Sequence, residues 1–337
     1  MDFDPLWLIA AFGGGAFGAA IGGQTAFIMT GIMYMVGLAG YMGGFDASVF
    51  MNSVVFGPVF GPHIAFAGGA AAAAYAAKKK YMPAGMNGRD IVTPLAGLSK
   101  ADVYVVGGVF GMIGYCLNLV VGQLPTFKVS DPAMNYGNDV LGSTDTVAFT
   151  IIIIAIVCRY MFGSTGLFST KQGPLMWVGG DKHWVAHQEK WSHSALIGFF
   201  SGLLSGFATL MLVLYIYPIN PGIVGHAQLV GWAISAITLI FLTCGLNTPV
   251  THHMTIIASI AALKFAPTFA GADPATWTSG DLVMPLLLAG VFGLLAGLLG
   301  EVLSRATCAN GDTHIDPPAF TIFPMTTLLY AITAIIA

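Results

Sequence analysis

Long apolar runs separated by short polar stretches fill almost the whole chain. A helix that crosses a bilayer needs about 20 consecutive apolar residues. Ten runs approach that length, at 6–32, 37–56, 58–77, 103–122, 146–162, 194–216, 227–246, 250–266, 283–304 and 318–336. The chain is 56% hydrophobic and only 8% charged, whereas soluble domains carry roughly 25% charged residues. The pattern predicts an all-α polytopic membrane protein with about ten transmembrane helices.

The two halves of the chain carry similar landmarks in the same order. The tetrapeptide "GVFG" occurs at 108–111 and again at 290–293, and each copy is followed by an Asp-Pro pair, at 131–132 and 316–317. Glycines spaced by four residues mark the first and sixth runs, as Gly14, Gly18 and Gly22 and as Gly198, Gly202 and Gly206. Because each half holds an odd number of spans, the second half is upside down relative to the first, an arrangement typical of channels and secondary transporters. We therefore predict two inverted five-helix repeats, 1–162 and 194–337, joined by a cytoplasmic interfacial linker at 163–193.

Two polar breaks lie at corresponding places in the halves, "FGPVFGPHIAF" at 56–66 and "LNTPVTHHMTI" at 246–256. Proline suits the first turn of a helix, and Thr or Asn can cap that turn. The pattern predicts that a helix begins at Pro249 with Thr248 or Asn247 as its cap, and that Pro58 and Pro62 act in the same way. Helix starts present unpaired N–H groups and partial positive charge, so two broken or re-entrant helices that meet would form a polar site. The predicted substrate pathway comprises Pro58, Pro62, His63, Asn247, Thr248, Pro249, Thr251, His252 and His253. The alternative is that both breaks are tight hairpins at opposite membrane surfaces.

Further polar residues interrupt the apolar runs. Ionisable groups within spans are costly and often functional, so Asp46, with Asn52 and Asn118, is a candidate proton or cation site. The alternatives are a helix cap for Asp46 and contacts with neighbouring helices for the two asparagines. Glu301 has Arg305 four residues on, a favourable helical pair, and we interpret it as structural.

The linker 163–193 carries Trp177, Trp184 and Trp191 at seven-residue spacing, which predicts a helix lying on the membrane surface. His183 and His187 in this segment are one turn apart but have no third metal ligand at a suitable position. The four cysteines also lack metal-type spacing. We therefore expect no metal and no cofactor. The polar loop 123–145 either covers an entrance or is an ordinary connection.

The distribution of Lys and Arg predicts the orientation, since cytoplasmic loops carry an excess of both. With the N-terminus outside, ten of the 12 basic residues fall on the inner side. The sequence thus predicts a multi-pass protein of the cytoplasmic (inner) membrane with both termini outside.

The expected function follows from these features. The sequence holds no nucleotide-binding motif and no recognisable catalytic set, so we do not expect an enzyme, and a net charge of −3 gives no argument for nucleic acid. We predict a transporter or channel for a small neutral or weakly ionic solute, with its pathway at the interface of the two repeats. Besides the lipid bilayer and the solute, a second copy of the chain is an expected partner, because glycine-rich faces pack closely. The alternative function is a non-catalytic membrane subunit or scaffold of a larger complex.

Overall fold

The computed structural model describes residues 3–123, 144–168, 185 and 188–336, and these fold into helices and turns without a β-strand. Six helical segments of this part are long and apolar enough to cross a membrane, at Gly23–Met42, Ala101–Gly122, Trp191–Ile216, Ile223–Thr243, His252–Ala270 and Val283–Cys308. This is the pattern of a multi-pass membrane protein. The helices are α1 (Pro5–Ile21), α2 (Gly23–Met42), α3 (Ser48–Phe50), α4 (Ala65–Lys78), α5 (Ala101–Gly122), α6 (Thr146–Phe162), α7 (Trp191–Ile216), α8 (Ile223–Ala227), α9 (Val230–Thr243), α10 (His252–Ala270), α11 (Val283–Leu303) and α12 (Pro317–Ile336).

The predicted limits of the first three apolar runs are wrong. The run 6–32 is two helices, because Gly22 has φ +89° and ends α1, a conformation that other residues rarely adopt. The run 37–56 is divided between α2 and a short helix that continues as a π-helical turn, Met51–Val55. Residues 56–64 are irregular, and α4 starts only at Ala65. Apolar residues continue through Gly22 and through residues 56–64, so hydropathy does not reveal these two interruptions.

The helices of each half pack in the same scheme. In the first half α1 lies along α5, and both contact α4; in the second half α7 lies along α11, and both contact α10. Two further contacts join the halves, between α2 and α9 and between α6 and α12. The contact of α2 with α9 is antiparallel: Gln24 and Tyr34 of α2 bond to Thr243 and His226 at opposite ends of the α8–α9 segment.

Glycines allow the backbones of the long helices to touch. A Cβ atom added to Gly15 of α1 would lie 2.2 Å from the carbonyl oxygen of Gly107 on α5. One added to Gly293 of α11 would lie 2.4 Å from the carbonyl oxygen of Gly198 on α7. Small residues are the usual means of close helix contact in membranes. These glycine faces are therefore occupied by packing within the chain.

The segment before α12 is held by Arg159, a side chain only 1% exposed at the end of α6. Its guanidinium group donates to the carbonyl oxygens of Thr307 (2.9 Å), Thr313 (2.7 Å) and Gly166 (2.8 Å) and to Thr313 Oγ1 (2.7 Å). The Asp312 carboxylate lies 3.8 Å from Arg159 Nε. A buried cation needs such partners, because its desolvation is costly. The interaction fixes residues 307–313 against the first half of the chain.

Candidate functional site

A cavity of about 140 Å³ lies between the two halves, far larger than the roughly 10–15 Å³ that one water molecule needs. The first half contributes wall residues from α2, α5, α6 and the irregular segment 56–64. The second half contributes wall residues from α9, α10 and α12 and the segments just before α10 and α12. The breaks at 56–66 and 246–256 thus both reach one cavity, as the predicted pathway requires.

The two central helices of the cavity wall begin with the same sequence motif. Residues 145–151 are "DTVAFTI" and residues 316–322 are "DPPAFTI". Asp145 accepts the N–H of Ala148 at 2.8 Å, and Asp316 accepts the N–H of Ala319 at 2.8 Å. In each copy the aspartate, the alanine and the final isoleucine all line the cavity.

This motif is the strongest sign of a repeat that the sequence interpretation missed. The sequence comparison paired the Asp316-Pro317 dipeptide with Asp131-Pro132, which lies outside the described residues. The shared D-x-x-A-F-T-I pattern is present in the sequence, but a comparison based on the Asp-Pro dipeptide selects Asp131 instead of Asp145. In the structure Asp145 shares the hydrogen-bond pattern of Asp316, and both motifs contribute to one wall.

Asp316 has a second partner, the side chain of His314. The Nε2 atom of His314 lies 3.0 Å from Asp316 Oδ1, and its Nδ1 atom lies 3.9 Å from the Cys308 sulfur. Both carboxylate oxygens of Asp316 are therefore bonded, one to His314 and one to the first turn of α12. The residue at the position of His314 in the first copy is Ser143, so the two halves differ here.

Two buried histidines line the cavity, and each has a ring nitrogen without a partner among the described residues. His63 and His252 are 4% and 6% exposed, and both line the cavity. Among the described residues no group bonds to the Nδ1 atom of either ring. Buried polar atoms are nearly always bonded, and an exception suggests water or a ligand that occupies the site. These imidazoles are the clearest polar groups with capacity left to bind.

The helix that carries His252 begins later than predicted. The first regular bond of α10 runs from the Thr255 N–H to the Thr251 carbonyl oxygen, at 2.9 Å, so the helix starts at His252 and not at Pro249. The residue at the N-cap position is Thr251, whose side chain makes no capping bond, so the prediction of a Thr248 or Asn247 cap is wrong. An extended stretch after Pro249 carries the chain inward before the helix can start. This change brings the uncapped N-terminus of α10, with its partial positive charge, to the buried cavity wall.

Four carboxamides contribute to the polar wall, those of Gln24, Asn52, Asn118 and Gln123. Gln24 donates to Thr243 Oγ1 at 2.8 Å and to the carbonyl oxygen of Leu239 at 3.3 Å, which links α2 to α9. Asn118 accepts from Thr150 Oγ1 at 3.3 Å, and Asn52 lies in the π-helical turn after α3. Gln24 was missed in the sequence interpretation. Its signal was a carboxamide directly after the Gly22-Gly23 pair, within a run treated as one continuous span.

The predicted site residues divide into two groups. The cavity wall includes Asn52, Pro62, His63, Asn118 and His252, and it does not include Asp46, Pro58, Asn247, Thr248, Pro249, Thr251 or His253.

The residues away from the cavity have other surroundings. Asn247 and Pro249 are exposed. Thr251 donates to Ser235 Oγ at 2.9 Å, and the ring of His253 fills the space next to Gly300. Asp46 is exposed before α3, where the Ser48 N–H donates to it and holds the pKa of the carboxyl group below its ordinary value.

Other predictions concern residues outside the cavity. The Glu301–Arg305 pair is confirmed, with 2.6 Å between Oε1 and Nε. Trp177, Trp184, His183 and His187 lie outside the described residues, as does most of the loop 123–145. Within the described part of the chain, no group of three His, Cys, Asp or Glu residues is placed to hold a metal ion.

Comparison with known proteins adds a family but not an activity. No curated protein and no solved structure matches this sequence significantly. A family model described as a family of unknown function, DUF7973, matches residues 2–176 and 180–337. The boundary between these stretches falls within the predicted linker 163–193. Because the match covers nearly the whole sequence, the chain belongs to the DUF7973 family, a family of unknown function.

Proposed function

We propose that this protein is a transporter or channel for a small neutral or weakly ionic solute, built from two inverted five-span repeats. The observation that carries the proposal is the cavity between the halves, which both copies of the D-x-x-A-F-T-I motif line. In membrane proteins with inverted repeats, the substrate site lies at the interface of the repeats and is formed by broken helices. The irregular segment 56–64 and the late start of α10 correspond to such breaks.

Packing between the long helices supports the repeat. Gly111 of α5 meets Gly15 of α1, and Gly293 of α11 meets Gly202 of α7; in both, a Cβ added to the first glycine would lie 2.9 Å from the partner's Cα. The next contact along each pair also matches. Gly108 makes room for the ring of Phe12, and Gly290 makes room for the ring of Phe199. Each matched pair keeps one offset, 187 residues for α1 and α7 and 182 residues for α5 and α11.

The pairs across the halves support the inversion. A two-fold axis in the membrane plane makes a helix near the axis pack antiparallel against its own equivalent. The antiparallel contact of α2 with α9 has this form, with Gly31 against Ala233 near its centre. The contact of α6 with α12 does too: Thr144, just before α6, bonds to Thr327 within α12, whereas Arg159 near the end of α6 bonds to Thr313 just before α12.

The chemistry of the wall favours a pathway for a solute rather than a core that has only a structural role. Unpaired polar groups at membrane depth are tolerated only where they face protein partners or a water-filled cavity. The wall combines His63, His252 and four carboxamides with apolar rings, and none of its described residues is Lys or Arg. A few placed polar groups in a mostly apolar cavity are typical of small-molecule sites.

The proposal includes the predicted location and assembly. We place the chain in the cytoplasmic membrane with both termini outside, on the distribution of Lys and Arg. Self-association is part of the proposal as well, although the glycine faces that suggested it pack within the chain. Cross-linking of the reconstituted protein tests the assembly.

Flux through purified protein in liposomes tests the function. Stopped-flow light scattering would follow osmotic reswelling with small neutral solutes, and tracer uptake with and without a pH gradient would separate a channel from a coupled carrier. Two variants, Ile151→Cys and Ile322→Cys, each place one thiol in the wall from a different half. Modification of either thiol after reconstitution should abolish flux without affecting folding.

A matched control lies on the outside of α1. Ala10 is exposed, so modification of an Ala10→Cys variant should leave flux unchanged. Absence of flux for every solute class would reject the transport proposal and favour the alternative of a membrane subunit or scaffold.

A further inference from the structure

We infer that the solute is an uncharged, flat molecule that offers both hydrogen-bond donors and acceptors, such as a carboxamide or a nitrogen heterocycle. The inference rests on the proposed function and concerns the same cavity. Three properties of the wall carry it: carboxyl groups that already have hydrogen-bond partners, further donors and acceptors of both kinds, and a cluster of rings around His252.

The carboxyl groups in the wall already have hydrogen-bond partners. The described acidic side chains of the wall are Asp145 and Asp316, and each accepts a backbone N–H at the start of a helix, where the dipole provides partial positive charge. Asp316 is also bonded to His314. An anion would face two carboxylates with no Lys or Arg in the described wall, and a cation would have to compete with their existing partners. A net charge that is buried without a partner is costly, so a neutral solute fits the wall best.

The polar groups left over include donors and acceptors. Gln24 uses its NH₂ group in bonds to α9, which leaves Oε1 to accept. Asn118 uses Oδ1 as an acceptor for Thr150, which leaves its NH₂ group to donate. The rings of His63 and His252 each have an Nδ1 atom to which no described residue bonds, and this atom donates or accepts according to its tautomer. A solute with only donors or only acceptors would leave part of this set unpaired.

Aromatic rings form the wall near His252. The ring of Phe27 has its centre 4.8 Å from that of His252, 5.3 Å from that of Trp232 and 5.9 Å from that of Phe66, and all four residues line the cavity. Aromatic faces and edges favour offset-stacked or edge-to-face contacts with another ring. A flat solute can use these contacts while its edge bonds to the carboxamides.

A charge series on a single ring tests the inference. The probes are nicotinamide, which is neutral, 1-methylnicotinamide, a permanent cation, and nicotinate, an anion at neutral pH. Uptake into liposomes with the full chain would be measured against protein-free liposomes. We expect nicotinamide to enter at least about ten-fold faster than either ion, since one unpaired charge or polar group is worth that factor or more.

Variants link the selectivity to the wall. Asn118→Leu and His252→Leu should each reduce nicotinamide uptake several-fold, and Asn247→Leu, which alters an asparagine away from the cavity, should not. Melting temperature and elution volume would show that each variant is folded. Similar rates for all three probes, faster uptake of either ion, or no uptake of nicotinamide by a protein that passes other solutes would overturn the inference and leave the transport proposal standing. Absence of flux for every solute tested would reject the transport proposal itself.

Discussion

Asp145 and Asp316 make the same hydrogen bond in the two halves of the chain, each accepting the N–H of the residue three positions on at 2.8 Å. Each is followed by the same A-F-T-I sequence, and both face one cavity. Helix capping alone does not explain why both aspartates line the same cavity. The two residues therefore share their sequence motif, their hydrogen bond and the cavity that they line.

Replacing these caps separates their charge from their hydrogen bond. Asn caps a helix about as well as Asp, whereas Ala costs about 0.5–2 kcal/mol of stability. We expect Asp145→Asn to unfold near the wild-type temperature and Asp145→Ala to unfold earlier. Asp316→Ala should lose more than Asp145→Ala, because it also removes the partner of buried His314. Thermal unfolding in detergent measures all of these variants, and equal losses for Asn and Ala would show that the cap is not the stabilising interaction.

Helix contact through glycine predicts opposite effects at two nearby positions of α1. A Cβ on Gly15 would lie 2.2 Å from the Gly107 carbonyl oxygen, whereas one on Gly13 would have no atom within 4 Å. Gly15→Ala should destabilise by about 1–3 kcal/mol through overpacking. Gly13→Ala should be neutral or stabilise by up to about 1 kcal/mol, because alanine restricts the unfolded chain. The thermal unfolding temperatures of the two variants measure this difference. Equal changes in both variants would contradict the α1–α5 contact.

The buried guanidinium of Arg159 should not tolerate lysine. It makes hydrogen bonds in at least four directions, and a lysine ammonium has three donors on a flexible stem and cannot reproduce a planar fork. We expect Arg159→Lys to lower stability by more than about 2 kcal/mol. Arg305→Lys is the matched comparison, since a lysine there can keep a bond to Glu301, and its loss should be smaller. Unfolding experiments that ranked the two variants in the reverse order would show that Arg159 is replaceable.

Cysteine labelling tests the orientation. Cys244 is exposed at the end of α9, whereas Cys158 and Cys308 are 3% and 0% exposed. With the N-terminus outside, the end of α9 lies on the cytoplasmic side. In a Cys116→Ser background, a membrane-impermeant maleimide should label Cys244 in inside-out vesicles and leave it unlabelled in right-side-out vesicles. The opposite result would reverse the topology.

Some features of the fold could be predicted from composition and motif order. The absence of charge over long runs required bilayer-spanning helices, and the six long apolar helices agree with it. Interruptions were harder to locate. The break at Gly22 depends on one backbone dihedral angle, and the late start of α10 depends on how residues 246–251 turn inward. Neither the backbone angle of Gly22 nor the path of residues 246–251 can be predicted from hydropathy.

Sequence by itself determined the helical membrane class, the presence of polar breaks near Pro62 and His252 and the pairing of Glu301 with Arg305, because these follow from local composition and helical spacing. Only the tertiary structure decided which polar residues share a cavity. It selected Gln24, Asp145 and Asp316 and left Asn247 and His253 elsewhere. The physical reason is that neighbouring residues on a helix face different directions, so burial and partners depend on how helices distant in the chain pack together.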